Sequence, residues 1–416
     1  MDLTTEERRI LSGETAEGER MAMELVVEAA RMLGAQRLVP ITCSHIDGCL
    51  YHGDSGVLYC ERLAGSGARV RVPATTNVGA LNLLKPDQSR LSPDRRKMAY
   101  RLMVAHETMG CRPSWTCAPY QAGMRPALGE QVAWGESNAV AFANTVLGAR
   151  TNRYGDFLDI ACAITGRAPY YGLHLSENRI AKLLIDVSGL PANLLRESAF
   201  FPVLGAMIGR LAGETVCVID GMPSGATDDQ LKSLCAGAAA TGAVALIHIA
   251  GITPEAPDIV TALGGLPAPE TIFITPAMVR EARDGLSLAE AGRIDSVAVG
   301  SPHFSDAECR TLLNLAGDNA FAVPVYICLG RHTMEMLEVD GADAALRALG
   351  VEFVVDTCIA VTPILPATPG VMMTNSAKFA HYATGNTGHL PVFGTLADCV
   401  VSAQAGRVIR DGTVWG

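Results

Sequence analysis

Hydrophobic and polar positions fall along this chain in blocks of two kinds. Segments with apolar residues three and four apart, such as GERMAMELVVEAARMLGA and DQLKSLCAGAAATG, predict amphipathic helices, the first of them stopped at Gly34. Short continuous apolar runs predict buried strands: RLVPIT, ARVRVPAT and RPSWTCA in the first half, and VALIHIAG, RIDSVAVG, VPVYICLG, VEFVVDTC and GVMMT in the second. Thr4 caps a helix over TTEERRILSG, and PDRRKMAYRLMVAHETMG is helical between two strand runs. Ser305 and Glu308 form an S-x-x-E box that opens a helix after SPHF. The Ala-rich stretch from Asn138 to Leu147 predicts a central helix ending at Gly148, and PANLLRESAFFPVLGAMIGR a buried one. The Pro- and Gly-rich TPEAPDIVTALGGLPAPETIFITPA reads as a surface connection between lobes.

Strands that hand over to helices, each strand apolar throughout, imply an α/β fold of parallel sheets covered on both faces. Ligands in such sheets bind beyond the carboxyl ends of the strands. Ser301, His303, Arg331, Cys358, Asn375, Ser376 and Lys378 fall at that edge. The expected division is an N-terminal α/β lobe with the central helix over residues 1–150 and a C-terminal α/β body over 151–416.

Composition narrows the class. Of 416 residues 49% are hydrophobic and 18% charged, which excludes intrinsic disorder and gives a core large enough for an enzyme. The net charge of −10 argues against sequence-independent nucleic-acid binding, which needs clustered Lys and Arg. No apolar run approaches the ~20 residues that span a bilayer, and the N-terminus lacks the apolar core of a secretory signal, so a cytoplasmic location is expected. The twelve cysteines are then buried thiols or site residues rather than a disulfide framework.

No C-x-x-C, H-E-x-x-H, P-loop, strand-linked G-x-G-x-x-G or G-x-S-x-G is present, so any metal site is assembled from distant loops. Cys117 in SWTCAPY and Cys358 in VVDTCIAVTP are the leading thiols because each follows an apolar run. Cys162, Cys217, Cys235 and Cys399 read as core, and Cys328 stands among the intermediate cases. His303 and His45 are candidate proton donors, with Ser44 beside the latter. Arg150, Arg153, Asn138, Asn144 and Asn152 form a polar cluster next to the central helix, suited to a carboxylate or to a solvated surface.

SHIDGCLYHGDSG, SWTCAPYQ, GESNAVAFANTVLGARTNRYGDF, GLHLSENR, AVALIHIAGITPEAP, SPHFS, DTCIAVTPI and VMMTNSAKFAHYATGN together resemble the catalytic part of the aconitase X family, from about residue 4 to 409. The resemblance implies a multi-lobed, three-layer α/β body with a central cleft, lacking the family's swivelling domain. That domain would be a separate small subunit supplying a catalytic serine. It further implies a cytoplasmic hydro-lyase assisted by iron, as an iron–sulfur cluster or a single ion. The substrate would be a small hydroxy imino acid, with no nucleic acid or membrane as partner. Bacterial members dehydrate cis-3-hydroxy-L-proline to 1-pyrroline-2-carboxylate and archaeal ones dehydrate mevalonate 5-phosphate; HIDGCLYHGDSG, TCAPYQ and RTNRYGDF look like the bacterial branch. An iron-responsive RNA-binding relative is the non-enzymatic alternative. The resemblance assigns Cys117 and Cys358 to the metal, with Ser301 where archaeal members carry a third cysteine and Cys49 as a substitute sulfur. Arg150, Arg153 and Lys378 would neutralise the substrate carboxylate, Asn138, Asn152, Asn375 and Ser376 would orient it, and His303 would protonate the leaving group.

Overall fold

The structure is a computed structural model that describes residues 1–267, 270–289 and 291–415. It separates into two compact units, residues 1–81 with 91–180, and residues 82–90 with 181–416. The units part at 180–181 rather than at 150. Helix Leu158–Thr165 packs on helix Glu17–Met32, and Arg167–Pro169 pairs with Leu38–Pro40, which ties the segment after 150 to the N-terminal unit.

In the first unit, strand Ser44–Ile46 lies between Ala74–Thr76 and Ala133–Trp134, parallel to both. Helices Thr5–Leu11, Glu17–Met32, Asp54–Gly65, Pro93–Thr108 and Leu158–Thr165 surround it. Thr4 and Glu7 close a reciprocal capping box, and Ser92 caps the helix that opens on Pro93. Leu38–Pro40 and Arg167–Pro169 form a separate antiparallel pair, where only parallel pairing was expected. ARVRVPAT contributes only its last two residues, to strand Ala74–Thr76, and RPSWTCA is no strand at all. Trp115 adopts φ +41°, which breaks the extended run, so residues 112–118 are a loop hydrogen-bonded along Ala74–Thr76.

The second unit holds two parallel sheets. One orders its strands Ile247–Ile249, Cys217–Asp220, Leu183–Asp186 and Thr271–Phe273. The stretch expected to be a surface connection supplies helix Ile259–Ala262 and the edge strand Thr271–Phe273 instead, residues 268–269 lying outside the described ones. Helices Phe200–Ala212 and Asp228–Thr241 pack backbone to backbone: a Cβ on Gly205 would stand 2.2 Å from the Leu234 carbonyl oxygen, so only glycine permits the approach. The other sheet has five strands, Val351–Val355, Val325–Leu329, Ser296–Phe304, Val371–Thr374 and Leu390–Phe393 in that order. Helix Asp306–Ala316 opens on the expected Ser305/Glu308 box.

Burial also sets a pH limit on stability. The rings of His45, His174 and His303 are pushed down to about 3 and that of His106 to about 4, burial being the main cause in each. Unfolding lets these rings take up protons below their ordinary value of 6.5, so their contribution is complete above that pH and is lost as the pH falls toward 3 to 4. Burial raises Asp159 and Glu308 to about 7, which acts in the opposite sense. Between pH 6.5 and 4.5 the unfolded chain therefore binds about two more protons, and urea titrations should show stability falling by roughly 2.7 kcal/mol per pH unit on acidification.

Candidate functional site

The five-stranded sheet reverses its strand order beside Ser296–Phe304, whose successor strand lies on one side while Val371–Thr374 lies on the other. Crevices open at such reversals because the following chain segments leave in opposite directions. Here Ser296 and Val297 pair with Met372 and Met373, and beyond them the two strands carry Ser301 and Asn375–Ser376 to the carboxyl edge. On the other side the register with Val325–Leu329 breaks between Val299 and Phe304. Gly300 sits at the break with φ +89°, and a Cβ there would be 2.1 Å from the Cys328 carbonyl oxygen. Ser376 caps helix Ala377–Thr387 by accepting from the Phe379 N–H at 3.0 Å, and its hydroxyl donates to the Ser301 carbonyl. Lys378 is half-buried in the first turn of that helix.

Cys358 stands on a rigid turn at this edge. Asp356 adopts φ +64° and its buried carboxylate is held by Arg331, Nη2 at 2.6 Å and Nε at 3.2 Å. The Thr357 hydroxyl meets that of Thr362 at 2.7 Å, while the Thr357 carbonyl accepts from His303 Nε2 at 3.0 Å. His303 is thus a neutral, buried donor to backbone through Nε2. It positions the Cys358 turn. Cys358 has its thiol pulled down to about 7: the Cys328 thiol donating to its sulfur is the largest cause, and, against burial, the Ala360 N–H, the Lys378 ammonium and the Ser301 hydroxyl add to it.

Behind Ser301 lies a feature the sequence reading missed. Lys232, 1% exposed in an Ala-rich helix, bridges Asp229 at 2.8 Å and Glu308, and donates to the His303 carbonyl at 3.2 Å. The lysine fixes the segment between Ser301 and the next helix. A void of about 20 Å³, room for about one water, touches Lys232, Glu308, Ser301, Asn375 and Ser376. It shares Glu308 and Asn375 with a cavity of about 580 Å³, a size suited to a small molecule. Glu197, Asp229, Glu308, Asp398 and Asp411 line this cavity, and no Lys or Arg is among its described lining residues.

In the first unit Cys117 stands on a similar turn. Trp115 takes the left-handed conformation two residues ahead of it, and the Ser114, Trp115 and Thr116 N–H groups donate to Thr76. The Thr116 carbonyl approaches the His45 ring, Nδ1 of which is 2.9 Å from the Thr75 hydroxyl. His45, neutral and buried, lies against the turn. Asn138 donates to the Cys117 carbonyl at 2.9 Å, so its amide holds the cysteine loop. Ser44 is buried and donates to the Ala133 carbonyl at 2.6 Å, which makes it a sheet contact. The Cys49 thiol, raised well above its ordinary range by burial, donates to the Ile46 and Asn77 carbonyls, which argues against it as a substitute sulfur ligand.

The polar cluster expected to bind a carboxylate is largely an internal network. Asn152 donates to the Tyr171 carbonyl at 3.0 Å and accepts from the Leu173 N–H at 2.8 Å. Arg150 donates to Ser176 at 2.8 Å, and only Arg153 is exposed. Buried Arg179, not foreseen, donates to Asn144 and to the Ala149 carbonyl where the central helix ends. Its guanidinium answers the orphan carbonyls of that helix terminus. Among the described residues no three His, Cys, Asp or Glu side chains form a group that could hold a metal, and no helix is long and apolar enough to cross a membrane.

Parallel α/β sheets with a low-pKa thiol, a lysine and hydroxyls gathered beyond the strand ends define an enzyme-type site. Family comparisons agree: residues 1–177 match the aconitase X first domain, 181–284 the second and 294–405 the third. The chain is 41% identical to the cis-3-hydroxy-L-proline dehydratase of Pseudomonas aeruginosa, over 96% of its own length and 70% of that protein's. It is 35% identical to the phosphomevalonate dehydratase large subunit of Methanothermobacter thermautotrophicus, over 92% of this chain and 94% of that one. The crystal structure of Thermococcus kodakaraensis aconitase X in its holo-form superposes with a TM-score of 0.86 at 30% identity, covering 97% of this chain and all of that one. The chain therefore belongs to the aconitase X family, of the hydro-lyase superfamily.

Removing one partner from the buried Asp229–Lys232–Glu308 triad should be costly, since it strands carboxylates in the interior. Lys232→Met is expected to lower stability by about 3–5 kcal/mol in urea unfolding. The surface pair Arg9–Glu6 should show little change on Arg9→Ala.

Proposed function

We propose that this chain is the catalytic part of a hydro-lyase that removes water from cis-3-hydroxy-L-proline to give 1-pyrroline-2-carboxylate. The supporting observation is its 41% identity over 96% of its length to a protein of that name. A second relative so named, from Hypocrea jecorina, is 38% identical over 98% of the chain. The electrostatics favour the same reading. Glu197, Asp398 and Asp411, which with the Lys232-paired Asp229 and Glu308 line a cavity of about 580 Å³, suit the cationic nitrogen of an imino acid better than a phosphate. Lys232 is neutralised by Asp229 and Glu308, and Lys378, in the first turn of its helix, is an ammonium suited to one carboxylate.

In this reading Lys378 binds the substrate carboxylate and holds the electron density that moves onto it as the α-proton leaves. Asn375 and Ser376 orient the ring. Cys358 and Ser301 suit an iron centre: a thiol already shifted toward thiolate beside a hydroxyl is a donor pair such a metal accepts. Iron, as a cluster or single ion, would supply Lewis acidity to the departing 3-hydroxyl. A small swivelling subunit is the proposed partner and the source of a catalytic serine.

Purified without air and combined with that subunit, the protein should turn over cis-3-hydroxy-L-proline and not mevalonate 5-phosphate; turnover of the phosphate alone would overturn the assignment. Lys378→Ala is expected to lower kcat/KM by about 10²–10³.

A further inference from the structure

Two thiols, not one, meet at the carboxyl edge of the five-stranded sheet. Along Val325–Leu329 the side chains alternate: Val325, Ile327 and Leu329 enter the apolar core, so Tyr326 and Cys328 face the opposite side. Cys328 is fully buried yet does not belong to that core, unlike Cys309 and Cys399, which pack within it. The sulfur of Cys358 is in hydrogen-bonding contact with both the Cys328 thiol and the Ser301 hydroxyl. The arrangement depends on Gly300, whose missing side chain lets the neighbouring strand close onto the Cys328 backbone just before Ser301.

We propose that Cys328 is a metal-ligating thiolate, completing with Cys358 and the Ser301 hydroxyl a three-donor set for iron. The proposal rests on the metal reading above and adds a sulfur to it. Two sulfurs and one oxygen come from three neighbouring segments of one sheet, whose spacing is fixed by backbone hydrogen bonds. Thiolates favour soft and borderline cations, and a serine oxygen at the position of a cysteine costs less when a second sulfur stands beside it. Binding displaces one proton from each thiol to solvent, with no change in oxidation state.

The test compares wild type, Cys328→Ala and the core control Cys309→Ala, each purified anaerobically as the full chain with its partner subunit. Iron per chain after a chelator wash and the sulfur-to-iron charge-transfer absorption are the readouts, with circular dichroism as the check on folding. Cys328→Ala should lose iron affinity by about tenfold or more and show altered absorption, while Cys309→Ala keeps both. Full iron and an unchanged spectrum in Cys328→Ala would overturn the assignment while leaving the wider metal reading intact. A wild type that takes up no iron would sink both. Should Cys328→Ala fail to fold, Cys328→Ser preserves the volume, and the same two results decide. A Cys328–Cys358 disulfide formed with diamide, alongside undiminished iron in the variants, would make the pair a redox couple and overturn the ligand role.

Discussion

The chemistry of the second unit depends on one strained peptide segment. Asp356 is a non-glycine residue in the left-handed region, a conformation that costs of order 1–3 kcal/mol unless its surroundings enforce it. Arg331 holds its carboxylate, Thr362 holds the next side chain and His303 holds the next carbonyl, so three elements converge on two residues. Cys358 comes directly after them and is placed at the edge with little freedom to move. A thiol on a loose loop could not keep contact with Ser301 and feel the charge of Lys378 at once.

Topology supplies the place and glycine the closeness. A parallel sheet whose strand order reverses presents a crevice wherever the following segments diverge. Ser296–Phe304 is both the strand beside the reversal and the strand with the irregular register, so Ser301 and His303 leave it at different angles from a regular strand. On the far side the buried triad of Lys232, Asp229 and Glu308 clamps the His303 carbonyl, and Ser376 clamps that of Ser301. The segment is held at both ends by groups that are themselves buried. Rigidity here has a cost: an ion triad away from water stabilises little on its own, yet losing any member is expensive.

Much of this was legible in the chain. The apolar runs of the C-terminal half gave four of the five strands of the larger sheet, because strands buried on both faces need no alternation to be recognised, while the short edge strand Leu390–Phe393 was not read. The Ser305/Glu308 box and the stop at Gly148 were readable from local chemistry alone. The errors were tertiary. RPSWTCA is as apolar as a strand, but Trp115 turns left-handed because Thr76 collects three successive N–H groups of the loop. Arg150 and Asn152 looked like ligand-binding groups because their partners are backbone carbonyls and N–H groups some 20 residues away, which sequence does not reveal. Lys232 carried a signal that went unread: a lone lysine in DQLKSLCAGAAATG stands on the small-residue face that must be buried. Cys328 carried one too, as the position in VYICL that alternation places opposite Ile327.

The two cysteines singled out from the sequence turn out to be presented in the same manner, each within its own unit. Each follows a buried threonine, and two residues ahead of each stands a large or charged side chain in the left-handed conformation. A buried neutral histidine lies against the threonine carbonyl in both cases, and in the second it donates to it. The physical logic is common. A turn that lifts a thiol out of a sheet edge exposes the preceding carbonyl to an apolar interior, where leaving it unpaired costs about 1–3 kcal/mol. Histidine answers that carbonyl with a donor while staying uncharged at neutral pH, whereas lysine or arginine would bring a positive charge that itself demands a partner. His303 commits its Nε2 proton to backbone, and through that bond it helps to fix the position of the sulfur next door.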